Sequence, residues 1–352
     1  MKKTNIIKYG LIALLLILLY FFINNLVIEM VQKPVKMVAK ASIWQDLEIE
    51  NFKLGPSSVV SWDDNKLRFY NLQGDLIKEI SSNGYFTNIY FFDDDVALLD
   101  KQLNILYIYN SLGEEKDRIE LSGSVYTVKK MGSRYYILKK EKRENKNIEA
   151  IYQLNRDGKD TQIYETDKFI VNFSINGSKM LISEISTENF AYKSSISDID
   201  GNNVKKFDFD NETVLDMRNI GGRLIAVTNK NLYALYDNKK EKVELSNFKD
   251  YYFENDRVII LYSNKLEIFD NRLRPVESFD IDITGVGFFR HNDGYFVYGP
   301  TDIMGYIGQK RQFKKSFDSI VYGMDSNDKG ILVSYKYRFE IYGFEDIKEG
   351  GE

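Results

Sequence analysis

The chain has 352 residues, of which 43% are hydrophobic and 14% aromatic, and its formal net charge is −4. This composition supports a sizeable core, and the mild acidic balance predicts no nucleic-acid partner, because such partners require a basic face or arm. The absence of cysteine excludes disulfides, thiolate metal sites and cysteine nucleophiles, and the single histidine, His291, excludes multi-histidine metal sites.

An apolar run near the N-terminus predicts a membrane anchor. Three lysines precede an uncharged stretch from Tyr9 to Ile28, which as a helix would span roughly the 30 Å of a bilayer's hydrocarbon core. Because no Lys or Arg follows until Lys33, we expect a cytoplasmic N-terminus and the rest of the chain outside the cell membrane. The predicted anchor residues are Leu11, Leu14, Leu15, Leu18 and Phe22.

A cleaved signal peptide is the competing interpretation of the same run. Ala39-Lys40-Ala41 has the small-residue pattern of a cleavage site, but it lies well beyond the apolar stretch. The run is also longer than the roughly 7–15 apolar residues of a signal peptide. We therefore favour a retained anchor.

The segment KLRFYNLQGDLIKEI defines the building unit of the rest of the chain. It predicts a strand at Lys66–Leu72 and a second strand at Leu76–Ile80, joined by a turn in which Gly74 supplies a positive φ. Since strand side chains alternate, Phe69 and Tyr70 are expected on opposite faces of the sheet.

Related hairpins recur down the chain and predict an all-β fold. Two short strands precede each hairpin, and no window after Trp44 has helical periodicity. Successive units begin near Phe86, Val125, Lys168, Thr213, Lys249, Thr284 and Ile320, at spacings of 39, 43, 45, 36, 35 and 36 residues. Four strands at this period predict the blades of a β-propeller, whereas a β-solenoid needs shorter repeats and a jelly roll has no period.

The two ends of the repeated region predict how the ring closes. The last unit supplies three strands, near Ile320–Asp325, Ile331–Tyr335 and Phe339–Phe344. Trp44–Glu50 is an extra strand ahead of the first blade, Phe52–Ile80, and we expect it to complete the last blade as its outermost strand. This arrangement gives eight blades, or seven if one unit is misassigned.

The strand ends and turns resemble the PQQ-like, WD40-like and YVTN-type bacterial propeller repeats, across about residues 44–345. No Trp follows the turn glycine as in PQQ-like repeats, and the Gly-His and Trp-Asp signatures of WD40 repeats are absent. Membrane-anchored propellers of this kind are common in low-GC Gram-positive bacteria, and the abundance of Lys, Asn, Ile and Tyr is typical of such genomes. The resemblance implies the fold and an extracytoplasmic location, and no particular reaction.

The predicted organisation has five parts. Residues 1–8 are a short cytoplasmic N-terminus, 9–28 a transmembrane helix and 29–43 a juxtamembrane stalk. Residues 44–345 form the propeller, and 346–352 form a flexible tail.

Few side chains suggest chemistry. Three carboxylate clusters have the oxygen ligands that calcium prefers, but each falls at a turn or strand end where Asp serves the local backbone: Asp93–Asp95, Asp198 with Asp200, and Asp280 with Asp282. His291 is expected to be a solvated residue at the His291–Gly294 turn. Most aromatic side chains are expected between blades. We predict no catalytic, cofactor-binding or metal-binding residues.

Two longer excursions, KKEKRENKN (139–147) and STENFAYK (186–193), are predicted connections between second and third strands. They would emerge on the face that usually carries binding surfaces in propellers. Solvated hairpin tips are the alternative interpretation. The predicted partner surface is made of Lys140, Arg143, Lys146, Phe190 and Tyr192.

These features favour a membrane-tethered, extracytoplasmic scaffold that binds a protein, a peptide or an envelope polymer. An extracellular lyase or glycoside hydrolase, with carboxylates meeting at the central channel, is the first alternative. A ligand-sensing module that acts through a membrane partner is the second alternative.

Overall fold

The computed structural model describes residues 14–21, 35–46, 48–49, 51–63, 65–82, 87–93, 95–155, 160–188, 191–236, 239–292, 294–307 and 310–346. Residues 14–21 form one short helix, α1, and the strands run from β1 (Val35–Trp44) to β32 (Arg338–Asp346). The strands form eight antiparallel sheets of four. The prediction of an all-β propeller with eight four-stranded blades is therefore confirmed.

Within each of blades 1 to 7 the strands pair in chain order. Blades 1 and 2 comprise β2 (Asn51–Leu54), β3 (Ser58–Asp63), β4 (Lys66–Asn71), β5 (Leu76–Ser81), β6 (Thr87–Phe91), β7 (Asp95–Asp100), β8 (Ile105–Asn110) and β9 (Glu115–Glu120). Blades 3 and 4 comprise β10 (Val125–Met131), β11 (Arg134–Arg143), β12 (Lys146–Leu154), β13 (Asp160–Thr166), β14 (Phe169–Asn176), β15 (Lys179–Glu188), β16 (Ala191–Asp200) and β17 (Asn203–Asp210).

The second half of the ring has the same construction. Blades 5 and 6 comprise β18 (Val214–Ile220), β19 (Arg223–Thr228), β20 (Asn231–Tyr236), β21 (Lys239–Glu244), β22 (Asp250–Phe253), β23 (Arg257–Leu261), β24 (Lys265–Asp270) and β25 (Pro275–Asp280). Blade 7 comprises β26 (Gly287–His291), β27 (Gly294–Tyr298), β28 (Asp302–Ile307) and β29 (Lys310–Ser316), and blade 8 begins with β30 (Gly323–Asn327) and β31 (Gly330–Ser334). The first strands contact one another at the junctions of blades 3 and 4, 4 and 5, 7 and 8, and 8 and 1, so the first strands surround the central axis.

The outer hairpin turns explain why the repeat is visible in the sequence. In blade 1 the side-chain oxygen of Asn71 accepts hydrogen bonds from the backbone N–H groups of Gln73 and Asp75, at 3.0 and 2.8 Å. Gly74 follows with a φ of 98°, as predicted. The turns that begin at Asn110 and Asp270 make equivalent hydrogen bonds. The repeated turn motif is therefore an Asn or Asp whose side chain accepts hydrogen bonds from two backbone N–H groups.

Buried apolar side chains form clusters that each join two neighbouring blades. Phe69 packs between blades 1 and 2, whereas Tyr70, on the opposite face of β4, packs between blades 8 and 1. This placement confirms the predicted alternation. One blade cannot bury both of its faces, so the ring is stable only when every blade is covered on both sides.

The ring closes, as predicted, by a strand from the N-terminal side that completes the last blade. It is a different strand from the one expected. The fourth strand of blade 8 is β1, in the order β1-β32-β31-β30, so the assignment of Trp44–Glu50 to this strand is wrong. β1 pairs with β32 from Val35 opposite Asp346 to Trp44 opposite Arg338. All of the closing strand but its last residue, Trp44, thus lies in residues 29–43, the segment predicted to be a stalk. A register shift between Ala39 and Ala41 interrupts its alternation.

The residues after β1 fix the seam between blades 8 and 1. The buried Gln45 amide donates to Ser61 Oγ at 3.1 Å and to the Tyr70 hydroxyl at 2.9 Å. Its carbonyl oxygen accepts from Arg68 at 2.9 Å, and Arg68 also pairs with buried Asp63. A buried guanidinium requires such partners, so this network specifies how the first blade meets the last.

His291 lies at the predicted hairpin turn, but the prediction that it is solvated is wrong. It ends β26 with only 7% of its surface exposed, because blade 8 covers it. Its ring centroid lies 5.0 Å from that of Phe344 and 5.9 Å from that of Phe296. Burial lowers the pKa of His291, although a backbone hydrogen bond with Asn327 and the charge of Asp328 act in the opposite direction.

Acidification is therefore expected to destabilise the propeller through His291. The unfolded chain takes up this proton near pH 6.5 and the folded chain does so only at lower pH, so stability is full above about pH 6.5 and falls below it. Between about pH 7.5 and about pH 5.5 we expect wild type to lose more stability than His291→Phe, by at most about 1.4 kcal/mol, measured by urea unfolding. Equal losses in the two proteins would contradict this assignment.

Candidate partner-binding face

The two faces of the ring differ in composition. The upper face is formed by connections between blades and by turns between second and third strands. The lower face is formed by the other turns. Among the described residues, eight exposed large apolar side chains lie at the upper face: Trp44, Leu103, Tyr126, Phe169, Val286, Ile320, Tyr322 and Tyr337. The others within the propeller lie on outermost strands, on β22 or, as for Leu112, at a lower-face turn. Concentrated exposed apolar groups mark interaction surfaces.

The densest part of this face is a groove of about 380 Å³ at blade 8, here called the aromatic groove. Trp44, Ile320, Tyr322 and Tyr337 line it with 70%, 60%, 55% and 45% of their surfaces exposed. They come from the end of β1, the connection between blades 7 and 8, and the turn between β31 and β32. The fold thus gathers apolar side chains that are remote in sequence.

Arginine and lysine side chains stack on the aromatic rings of the groove. The Arg338 guanidinium lies 5.4 Å from the ring centroid of Trp44 and 4.3 Å from that of Tyr335, and it pairs with Asp318 at 3.2 Å. Lys336 lies 5.3 Å from the ring centroid of Tyr337. Such stacking holds large side chains in place, which lowers the entropy that a partner must overcome on binding.

Two long hairpins rise from the same face in blades 3 and 4. β11 and β12 have 10 and 9 residues, and β15 and β16 have 10 each. The predicted excursions therefore do connect second and third strands, although most of their residues continue the strands.

The predicted partner residues occupy different environments on these hairpins. Lys140 and Lys146 are exposed, with the Lys140 ammonium 5.6 Å from the ring centroid of Tyr126. Arg143 is exposed but pairs with two carboxylates, as described below. Tyr192 is half-buried and donates to the backbone oxygen of Asn211 at 2.8 Å, and Phe190 lies outside the described residues.

An ion network braces the blade 3 hairpin. Arg143 pairs with Glu141 at 2.6 Å and with Glu165 at 2.8 Å, and the Tyr152 hydroxyl donates to Glu141 at 2.5 Å. The hydrogen bonds from Tyr152 and Arg143 lower the pKa of Glu141. The hairpin is therefore held as a rigid projection.

The central channel contains a polar cluster on successive first strands. Lys129 donates to Asn172, and Asn172 donates to Asp216 at 2.9 Å. Asp216 and Asp250 each accept the backbone N–H of the next residue at 2.8 Å, and burial raises the pKa of both carboxyls. These side chains are largely engaged with the protein itself, and Lys129, Asn172 and Asp216 brace blades 3 to 5.

In two of the three carboxylate clusters a described carboxylate binds protein groups. Asp95, at the start of β7, accepts from Lys116, Lys130 and the Tyr135 hydroxyl. Asp200 pairs with Lys179 at 3.5 Å. Among the described residues no group of three acidic or histidine side chains is placed to hold a metal ion. Sequence analysis missed the Asp95 network because its lysines lie on two other strands.

No protein-family model matches the chain, and no curated protein matches it. Solved structures of propellers do match the chain. Sqt1 from Saccharomyces cerevisiae is 9% identical with a TM-score of 0.58, covering 86% of this chain and 98% of its own. BamB from Moraxella catarrhalis is 11% identical with a TM-score of 0.56, covering 87% and 99%.

A third similar structure is a quinohemoprotein alcohol dehydrogenase from Pseudomonas putida HK5. It is 8% identical with a TM-score of 0.53 and covers 90% of this chain and 77% of its own. At these identities the likenesses establish the fold alone. The chain is a β-propeller of eight four-stranded blades.

Proposed function

We propose that the protein is a membrane-tethered, extracytoplasmic scaffold that binds a polypeptide on its upper face. The observation that carries this proposal is the aromatic groove, in which Trp44, Ile320, Tyr322 and Tyr337 are exposed beside stacked cations. Aromatic and arginine side chains in a preformed groove are the usual anchors of protein interfaces. The braced hairpin of blade 3 and the long hairpin of blade 4 enlarge the same face.

The tether rests on the N-terminal sequence. Among the described residues no helix is long and apolar enough to cross a bilayer. In α1 every side chain is apolar or aromatic and is between 48% and 67% exposed, which suits contact with lipid. The uncharged run Tyr9–Ile28 supplies the length for a span and the lysines before it supply the orientation, with the propeller outside the cell membrane.

The direction of β1 determines which face is available. β1 begins at the lower face with Val35 and ends at the upper face with Trp44, because it pairs antiparallel to β32. A tether that precedes Val35 therefore approaches the lower face. The aromatic groove and the hairpins then point away from the membrane, where a partner can reach them.

Site-specific photocrosslinking in the cell that makes the protein tests this function. A photoreactive residue in place of Tyr322 is expected to give a discrete adduct, and one in place of Leu112, exposed at a lower-face turn, is not. Adding Ile320→Asp should remove the adduct at Tyr322, because a charge in the groove opposes apolar contact. Equal labelling from both positions, or an adduct unaffected by Ile320→Asp, would contradict the proposal.

A further inference from the structure

The lower face contains two basic cavities between blades. The first, here called the blade 2/3 cavity, has a volume of about 730 Å³. Its charged lining consists of three cations and two carboxylates: Lys116, Lys130, Arg134, Asp95 and Asp117. The second, the blade 4/5 cavity, has a volume of about 680 Å³ and is lined by three cations and one carboxylate: Lys179, Lys205, Arg218 and Asp198.

The blade 2/3 cavity is built around a buried charge. The carboxylate of Asp95, only 2% exposed, accepts from Lys116 at 2.6 Å, from Lys130 and from the Tyr135 hydroxyl at 2.9 Å. Burial would raise the pKa of Asp95, but these hydrogen bonds hold it below its ordinary value. Lys116 remains half exposed and Arg134 is exposed, so positive groups stand at the mouth of the cavity.

The blade 4/5 cavity has a larger excess of cations. Lys179, which pairs with Asp200 at 3.5 Å, and Lys205 are exposed beside Asn176 and Asn219, whose amide groups add hydrogen-bond donors to the lining. Arg218 is anchored by its hydrogen bond to the backbone oxygen of Phe253 at 3.0 Å. Positive charge with several donors in one concave site suits a phosphate group.

At two other places on the lower face opposite charges are paired with each other. Arg274 pairs with Asp270 at 2.6 Å, and Arg290 pairs with Glu254 at 3.0 Å. By the charges of their linings the two cavities carry an excess of one and two cations, and both lie away from blade 8, where β1 begins at this same face.

We infer that the lower face lies flat against an anionic bilayer, with lipid headgroup phosphates seated in the blade 2/3 and blade 4/5 cavities. This inference rests on the proposed tether. A tether at blade 8 alone lets the ring tilt relative to the bilayer. Two further contacts, at the blade 2/3 and blade 4/5 cavities, would fix the lower face parallel to the bilayer surface. Each cation near an anionic surface adds attraction that salt screens.

The test uses the full chain reconstituted into vesicles. Because the chain has no cysteine, Ser133→Cys places a single dye at a lower-face turn beside the blade 2/3 cavity, and Lys146→Cys places one on an upper-face hairpin. Headgroup-labelled quencher lipids should quench the first dye and not the second in vesicles that contain phosphatidylglycerol. Quenching should weaken in pure phosphatidylcholine and at high salt.

A charge-removing variant identifies the cavities. Its substitutions are Lys116→Gln, Arg134→Gln, Lys179→Gln and Lys205→Gln. Each neutralised cation is expected to lower the equilibrium constant for face contact about five-fold. A control with the same charge change on the upper face should leave quenching intact. Its substitutions are Lys101→Gln, Lys142→Gln, Lys146→Gln and Lys249→Gln. Equal urea midpoints establish that both variants are folded.

The outcomes separate the inference from the tether. If the chain floats with the vesicles but the Ser133→Cys dye stays unquenched, the flat orientation is wrong and the tether stands. If the chain does not float with them, the tether itself is wrong. If soluble glycerol phosphate at low concentration releases the lower face from the vesicle, the cavities bind a free phosphate. That result would overturn the inference.

Discussion

Removal of residues 1–44 is expected to abolish cooperative folding, whereas removal of residues 1–34 should leave the melting temperature of the propeller unchanged. The longer deletion removes β1, which pairs with β32 and buries Met37 and Ile43. Losing two buried side chains of this size costs about 2–5 kcal/mol each, before the lost ladder and the uncovered faces of blades 7 and 1 are counted. The sum approaches the whole stability of a typical domain, about 5–15 kcal/mol.

Thermal unfolding followed by circular dichroism provides the measurement, and the shorter deletion is the matched control because it keeps Val35. A cooperative transition at the wild-type temperature without β1 would show that the ring does not depend on this strand. Adding the β1 peptide to the longer deletion in trans should restore a cooperative transition, since the docking edge of β32 is intact.

Phe339→Ala is expected to destabilise the protein by about 3–5 kcal/mol. Phe339 is fully buried between blades 8 and 1, and its ring centroid lies 5.5 Å from that of Phe52. Removing the ring leaves a cavity at the seam where the two ends of the chain meet. Urea unfolding measures the effect as a lower midpoint with an unchanged slope.

Phe169→Ala is the control for this substitution. Phe169 begins β14 and is 48% exposed, so its truncation should cost less than about 0.5 kcal/mol. Similar losses at the two positions would mean that the closing seam is not tightly packed.

The repeat could be predicted because its signals are local. The turns at Asn71, Asn110 and Asp270 each use an Asx side chain followed by a residue in the left-handed region, and this pattern is visible in a few letters. Observed blades begin at Thr87 and Val125, where units were expected near Phe86 and Val125, and later ones begin within three residues of expectation. Turn chemistry therefore fixed both the period and the blade count.

The closing strand could not be assigned from the same signals. Its partner lies about 300 residues away, so no turn joins the two strands, and the register shift after Ala39 breaks the two-residue alternation. Trp44 looked like a strand start because apolar residues follow it at Leu47 and Ile49. In the structure Ile49 instead packs at the seam from a connecting segment.

The candidate site was missed because it is assembled from distant segments. Trp44 and Tyr337 each resemble an ordinary strand residue in sequence, and only ring closure brings them into one groove. The same holds for His291, whose turn was recognised but whose cover comes from Phe344 of the last blade. When a remote strand buries a residue, no local sequence pattern around that residue predicts its burial.

Closure through β1 also has a mechanical consequence. A partner held at the upper face and a membrane at the lower end of β1 would pull in opposite directions along the length of this strand. Load applied along paired strands acts on them in shear, so the nine residue pairs between β1 and β32 resist it together and do not open one by one. With the proposed tether, the seam that completes the fold would bear the tension between the membrane and the bound partner.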